Sequence, residues 1–172
     1  ADLLDIGGES TRPYAERIDA EEELHRVLPV MTQLASELEI PISIDTSKAL
    51  VARRAIDAGA EIINDVTGLE ADAEMINVAI ETGAGVCAMH MQGTPQTMQD
   101  DPTYPDVVGE IHEYLRRRRD ALLLFRRGPH RLDVAVGISG PDPVDDGDRH
   151  LARDRHRGAE VERARAVARG AV

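Results

Sequence analysis

Short apolar runs alternate with amphipathic segments along the first two-thirds of the chain, and this alternation constrains the fold more than any other feature. Asp2–Ile6 is an apolar-rich run ending in Gly7-Gly8, the pattern of a buried strand that breaks into a loop. Asp19 stands three residues before Glu22, a capping-box-like start. Leu24, Val27, Leu28, Met31, Leu34, Ala35 and Leu38 follow at helical spacing, which predicts an amphipathic helix with its acidic face outward. Pro41–Asp45 reads as the next strand. Thr46 or Ser47 is placed to cap a helix carrying Leu50, Val51, Ala55 and Ile56, which Gly59 stops. The cycle repeats with a strand over Glu61–Val66 and a helix capped by Asp72, using Met75, Ile76, Ala79 and Ile80 and closed by Gly83. A strand at Gly85–Met89, a loop from His90 to Pro105 and a helix begun by Val107, Val108, Ile111 and Leu115 complete the pattern.

Strands separated by helices pair in parallel through right-handed crossovers. Short, apolar strands are those covered on both faces. Two architectures satisfy this pattern, a doubly wound sheet and a (β/α)8 TIM barrel. Polar residues choose between them. Gly7–Arg12, Asp45, Asn64-Asp65 and His90-Met91 stand at or just beyond the ends of four successive strands, and barrels gather the C-terminal ends of all their strands at one mouth. A doubly wound sheet would use only the strands beside its switch point. The expected fold is therefore an α/β TIM barrel, incomplete, with about four to five βα units.

Charge divides the chain. Its 172 residues carry a formal net charge of −12. Residues 1–114 hold six basic and 23 acidic side chains (−17), whereas residues 115–172 hold 14 arginines and nine acids (+5). A swing of this size marks a composition boundary, and the expected division is 1–115 for the barrel part and 116–172 for a divergent, Arg-rich C-terminal segment with little order. A shift of the coding frame near Leu115 would produce the same swing. The arginines of residues 149–169 have no aromatic among them for base stacking, so nucleic acid is not an expected partner. No apolar run reaches the length of a membrane span. A single cysteine, Cys87, excludes an internal disulfide and suits a reducing cytoplasm. Opening directly into a strand-like run, the chain reads as a piece whose beginning is missing.

The residues after the strands suggest chemistry. In Gly7-Gly8-Glu9-Ser10-Thr11-Arg12-Pro13 the glycines allow close backbone approach, and Arg12 offers the planar fork that grips phosphate or carboxylate. An ordinary βα turn with a solvated Arg12 is the plain alternative. Asp45, partly desolvated at the end of an apolar strand, can pair with two N–H donors on one edge of a heteroaromatic ring. It can equally serve only as a helix cap. Asn64 can present a donor and an acceptor to the same ring or make an ordinary strand-end hydrogen bond. His90, Cys87 and Met91 lack a further ligand at metal-binding spacing and are read as loop packing.

Asp-Ile-Gly-Gly-Glu-Ser-Thr-Arg-Pro (5–13), Ser-Ile-Asp-Thr-Ser-Lys (43–48), Ile-Asn-Asp-Val-Thr-Gly-Leu (63–69) and Met-His-Met-Gln-Gly-Thr-Pro (89–95) occur in this order. Over residues 1–115 the chain resembles the dihydropteroate synthases. That resemblance implies joining 6-hydroxymethyl-dihydropterin diphosphate to 4-aminobenzoate, with pyrophosphate released, Mg2+ as cofactor, sulfonamides as inhibitors and a homodimer at full length. It further implies that Asp45 and Asn64 contact the pterin, that Thr11 and Arg12 lie near the diphosphate and aminobenzoate, and that Met89 lines the pterin pocket. The family's metal-binding Asn loop would precede Ala1, and its later pterin-anchoring aspartate would fall at Asp133, where the following Pro-Gly is absent. No counterpart of the family's seventh-strand lysine is found, because Lys48 is the only lysine. These gaps imply weak or no turnover by this chain alone. A methyltetrahydrofolate:corrinoid methyltransferase shares the Asp and Asn logic without the Ser-Thr-Arg-Pro loop, and a noncatalytic pterin-binding paralogue is the non-enzyme alternative.

Overall fold

A computed structural model describes residues 1–12, 15–124 and 134–138. Among the described residues nine elements follow one another: β1 (Leu4–Gly7), α1 (Ala20–Glu37), β2 (Ile42–Asp45), α2 (Ala49–Asp57), β3 (Ile62–Asp65), α3 (Met75–Thr82), β4 (Gly85–His90), α4 (Val107–Leu124) and β5 (Val134–Ile138). All neighbouring strands pair in parallel, in the order β1-β2-β3-β4-β5. A doubly wound sheet would reverse its strand order at a switch point. The unbroken order, with α1 packed on α2, α2 on α3 and α3 on α4, is that of an incomplete (β/α)8 barrel.

The core lies between the sheet and this layer of helices. Ile44, Ile63, Val86 and Ala88 point from the strands into it, and Val27, Met31, Val51 and Met75 meet them from the helices. Each such side chain contributes about 1.5–3 kcal/mol by leaving water. Because side chains alternate along a strand, the opposite face carries Asp5, Gly7, Asp45, Asn64, Cys87 and Met89, and these are half-buried or exposed. Strand register places Gly7 beside Asp45, Asp45 beside Asn64, and Asn64 beside Cys87.

Helix ends follow the expected chemistry in part. The Asp19 carboxylate accepts from the Glu22 amide at 2.8 Å and caps α1, whose first turn is acidic, as the positive end of the helix dipole favours. Gly83, at φ 68°, closes α3 in the left-handed conformation that glycine adopts without strain. Asp72 behaves differently from its expected role. Its Oδ2 accepts from the Ala49 amide at 2.8 Å, so it caps α2, while Oδ1 accepts from Glu74 N at 3.0 Å. Thr46 supplies an acceptor only to Lys48 N at 3.2 Å, and neither Thr46 nor Ser47 is the cap residue of α2. Glu23 also departs from the outward acidic face. It is 1% exposed, because Lys48 reaches it from the loop after β2.

Residue 115, where the composition changes, lies inside α4. Leu115 and Leu122 of that helix are both buried, and Arg118 pairs with Glu70 at 2.7 Å. Asp133 and residues 139–172 lie outside the described residues.

Candidate functional site

The inward sheet face gathers three of the five residues expected to bind ligand. Asp45 ends β2, Asn64 is its direct neighbour one residue before the end of β3, and Met89 follows two residues after Cys87 on β4. Thr11 and Arg12 stand on the loop after β1, at the same C-terminal end of the sheet, and Arg12 is exposed. Among the described residues neither makes a hydrogen bond to Asp45, Asn64 or Met89. Across the same end, Arg17 donates to the Gln96 side chain at 3.4 Å, linking the loop after β1 to the loop after β4.

Asp45 is the electrostatic centre. Its pKa is pushed up from 3.8 to about 6, first by burial and then by the negative charges of Asp5, Asp65, Glu23 and Glu9. Gly7 leaves the space beside it open, since a Cβ there would lie 3.2 Å from both the Asp45 Cβ and its carbonyl oxygen. Asn64 donates its amide to Asp5 Oδ2 at 2.9 Å. That bond uses one of the two amide hydrogens and fixes the amide with its carbonyl oxygen as an acceptor. Together Asp45 and Asn64 therefore offer acceptors, which suits a ligand edge rich in N–H donors. Cys87 beside them is an inert thiol. Burial, with Asp5 and Asp45 nearby, raises its pKa above the ordinary value and keeps it from the thiolate form.

Sequence reasoning did not single out Asp5, and it read Cys87 only as loop packing beside His90. Period-two alternation could have found both, since Asp5 shares its face with Gly7 and Cys87 shares its face with Met89. The same parity separates His90 from Cys87. His90 points the other way and packs between Tyr104 and Tyr114, with ring centroids at 5.7 and 4.9 Å. Burial lowers its pKa. Among the described residues, no three His, Cys, Asp or Glu side chains stand together as a metal site, so no such cluster among them would hold the Mg2+ that the resemblance implies. No described helix is long and apolar enough to cross a membrane.

The turn beyond Asn64 is fixed from below. Asp65 is fully buried and accepts from Thr67 N at 2.8 Å, Thr67 Oγ1 at 2.7 Å and Leu69 N at 3.1 Å. Burial raises its pKa, and these hydrogen bonds oppose the rise. They hold Leu69 at φ 68°, a left-handed conformation unusual for a branched residue. Tyr114 of α4 donates to the Thr67 carbonyl and to Glu70, each at 3.1 Å. Burial and the Glu70 charge push the Tyr114 pKa up to about 12, keeping it a donor.

Residues 1–143 match the family described as pterin binding enzyme. The chain belongs to the pterin binding enzyme family. Its relatives include a dihydropteroate synthase of Escherichia coli (strain K12), 49% identical over 114 residues, covering 66% of this chain and 40% of that protein. A structure of Xanthomonas albilineans dihydropteroate synthase with 4-aminobenzoic acid aligns at a TM-score of 0.69 and 41% identity, over 81% of this chain and 50% of the other. Burkholderia cenocepacia dihydropteroate synthase complexed with 7,8-dihydropteroate aligns at 0.68 and 44% identity, over 79% and 48%. The chain spans about half the length of the pterin binding relatives it matches.

Proposed function

We propose that this chain carries the pterin-binding half of a dihydropteroate synthase site, for a reaction that joins a pterin diphosphate to 4-aminobenzoate. One observation carries the reading. Asp45 and Asn64 stand side by side as acceptors on the open sheet face, beside a loop that bears Thr11 and Arg12. A pterin presents adjacent N–H donors on one edge, which complements those acceptors. Met89, two residues beyond Cys87 on the same face, supplies an apolar, polarisable wall for the ring. Arg12 and Thr11 take the diphosphate and the aminobenzoate.

In that reaction the C–O bond to the diphosphate breaks largely before the amine nitrogen bonds to the pterin methylene carbon. Pyrophosphate leaves with the bonding electrons, and the amine loses its proton to solvent. Arg12 contributes by stabilising charge that develops on the departing group. Ionised Asp45 favours a pterin that is donating its protons, so ring binding strengthens as pH rises through about 6. A reducing cytoplasm and pairing of two full-length copies belong to the same proposal, the latter readable by analytical ultracentrifugation.

Calorimetric titration with 6-hydroxymethylpterin diphosphate tests the binding, with Asp45→Asn as the control variant. Binding by the wild type and at least tenfold weaker binding by the variant are expected, and equal affinities would refute the assignment. Pyrophosphate release that depends on both 4-aminobenzoate and Mg2+ tests the chemistry. Methyl transfer from methyltetrahydrofolate in its place would point to the corrinoid-dependent relatives.

A further inference from the structure

Lys48 lies outside the ligand-facing row, yet it joins three separate parts of the chain. Its Nζ donates to Glu9 Oε2 at 2.8 Å and to Glu23 Oε2 at 2.6 Å. Glu9 precedes Thr11 by two residues, Glu23 sits on α1, and Lys48 follows Asp45 by three residues. The second Glu9 oxygen accepts from the Ile18 amide at 2.9 Å. One carboxylate therefore ties residue 9 to residue 18, the two ends of the segment that bears Thr11 and Arg12.

The site is enclosed enough for these charges to matter. Side-chain exposure is 23% for Lys48, 14% for Glu9 and 1% for Glu23. Exposed ion pairs hold a chain weakly, whereas removing one member of a buried set strands the remaining charge at high cost. Burial works against the Lys48 ammonium, but its hydrogen bonds to Glu23 and Glu9 outweigh it and raise its pKa. Burial likewise opposes the charged Glu9, and the bonds from Lys48 and Ile18 overcome it. The backbone at Gly8 lies so close to α1 that a Cβ would come within 2.9 Å of both Glu23 Cγ and Val27 Cγ1. Arg26 adds a hydrogen bond to the Gly8 carbonyl at 3.1 Å. The base of the loop thus has one well-determined position.

We propose that Lys48 is a positioning residue: by holding the Glu9 carboxylate against Glu23, it closes the base of the loop that carries Thr11 and Arg12 and sets that loop beside Asp45. This rests on the pterin diphosphate reading of the site. If Lys48 only satisfied the buried Glu23, its loss would lower stability and weaken every ligand alike. A clasp for the loop acts on the diphosphate end of the ligand and spares the ring.

The full chain is compared as wild type, Glu9→Ala, Lys48→Met and Lys48→Arg. Glu9→Ala leaves the buried Lys48–Glu23 pair in place and is read even if Lys48→Met fails to fold. Hydrogen exchange is followed at the Ile18 amide, and affinities are measured for 6-hydroxymethylpterin and for its diphosphate. In Glu9→Ala and Lys48→Met, exchange at Ile18 rises at least tenfold. The affinity added by the diphosphate falls at least tenfold, and ring affinity stays within threefold. Lys48→Arg, which keeps the charge, returns both readouts to within threefold of wild type. Unchanged Ile18 exchange in folded Glu9→Ala overturns the proposal. So does an opened loop with the diphosphate contribution intact, or an equal loss for both ligands. A wild-type chain that binds neither ligand refutes the functional reading, and the exchange data then decide the clasp alone.

Discussion

Replacing Asp45 by Asn should make the protein more stable at pH 8 and poorer at binding. Asp45 is half-buried in a field of acids, and its pKa stands near 6 against an ordinary 3.8. A folded-state value above the unfolded one means that the folded protein binds the proton more tightly. The associated stability is fully present below about 3.8 and is lost as pH rises through about 6. At 1.4 kcal/mol for each tenfold change, the gap corresponds to roughly 3 kcal/mol, and partial solvent access reduces it to about 1–2 kcal/mol. Asn keeps the shape and carries no charge. Urea unfolding at pH 4 should give the same stability for both proteins within about 0.5 kcal/mol, whereas at pH 8 the Asp45→Asn variant should lead by about 1–2 kcal/mol. In melting temperature the pH 8 difference is about 2–8 °C. A variant that is less stable at pH 8, or a difference that does not change with pH, would show that Asp45 is held by favourable partners and not strained by its neighbours.

Three further outcomes test the packing around the site. Asp65→Ala should cost about 2–4 kcal/mol in chemical denaturation, because the amides of Thr67 and Leu69 lose a buried acceptor. Gly68→Ala should destabilise by about 1–3 kcal/mol, since the added methyl meets the Tyr114 hydroxyl and the residue sits at φ 63°; combining it with Tyr114→Phe should cost less than the sum of the two changes, and additivity in the double-mutant cycle would refute the contact. Asp72→Ala should cost about 1 kcal/mol, with faster hydrogen exchange in the first turn of α2 and not in α3.

Much of the fold was legible because it rests on local pattern. The i, i+3, i+7 spacing of Leu24, Val27 and Met31 marked the buried side of α1, and Gly83 marked the end of α3. Asp45 and Asn64 were legible because each directly follows a short apolar run, and parallel pairing then sets them side by side. What stayed hidden depends on distance along the chain. Nothing near Glu23 announces that a lysine 25 residues later neutralises it, so the residue reads as part of a solvated face. Asp72 carries every mark of a cap for the helix that follows, and only the packing of two neighbouring loops directs its carboxylate to the helix before. The composition changes at residue 115, yet the buried stripe of α4 continues through Leu122.

That borrowed cap bears on how such a chain can be cut and recombined. A βα repeat looks like a cassette, with a strand, a helix and joints at either end. Here the stop that steadies the second helix is encoded 23 residues beyond that helix's first amide, inside the next repeat. A crossover between the second and third repeats would give the hybrid a helix start from one parent and its stopper from another. Shuffled libraries that keep residues 42–74 from a single parent should therefore yield folded products more often than libraries divided at the apparent seam near Gly59.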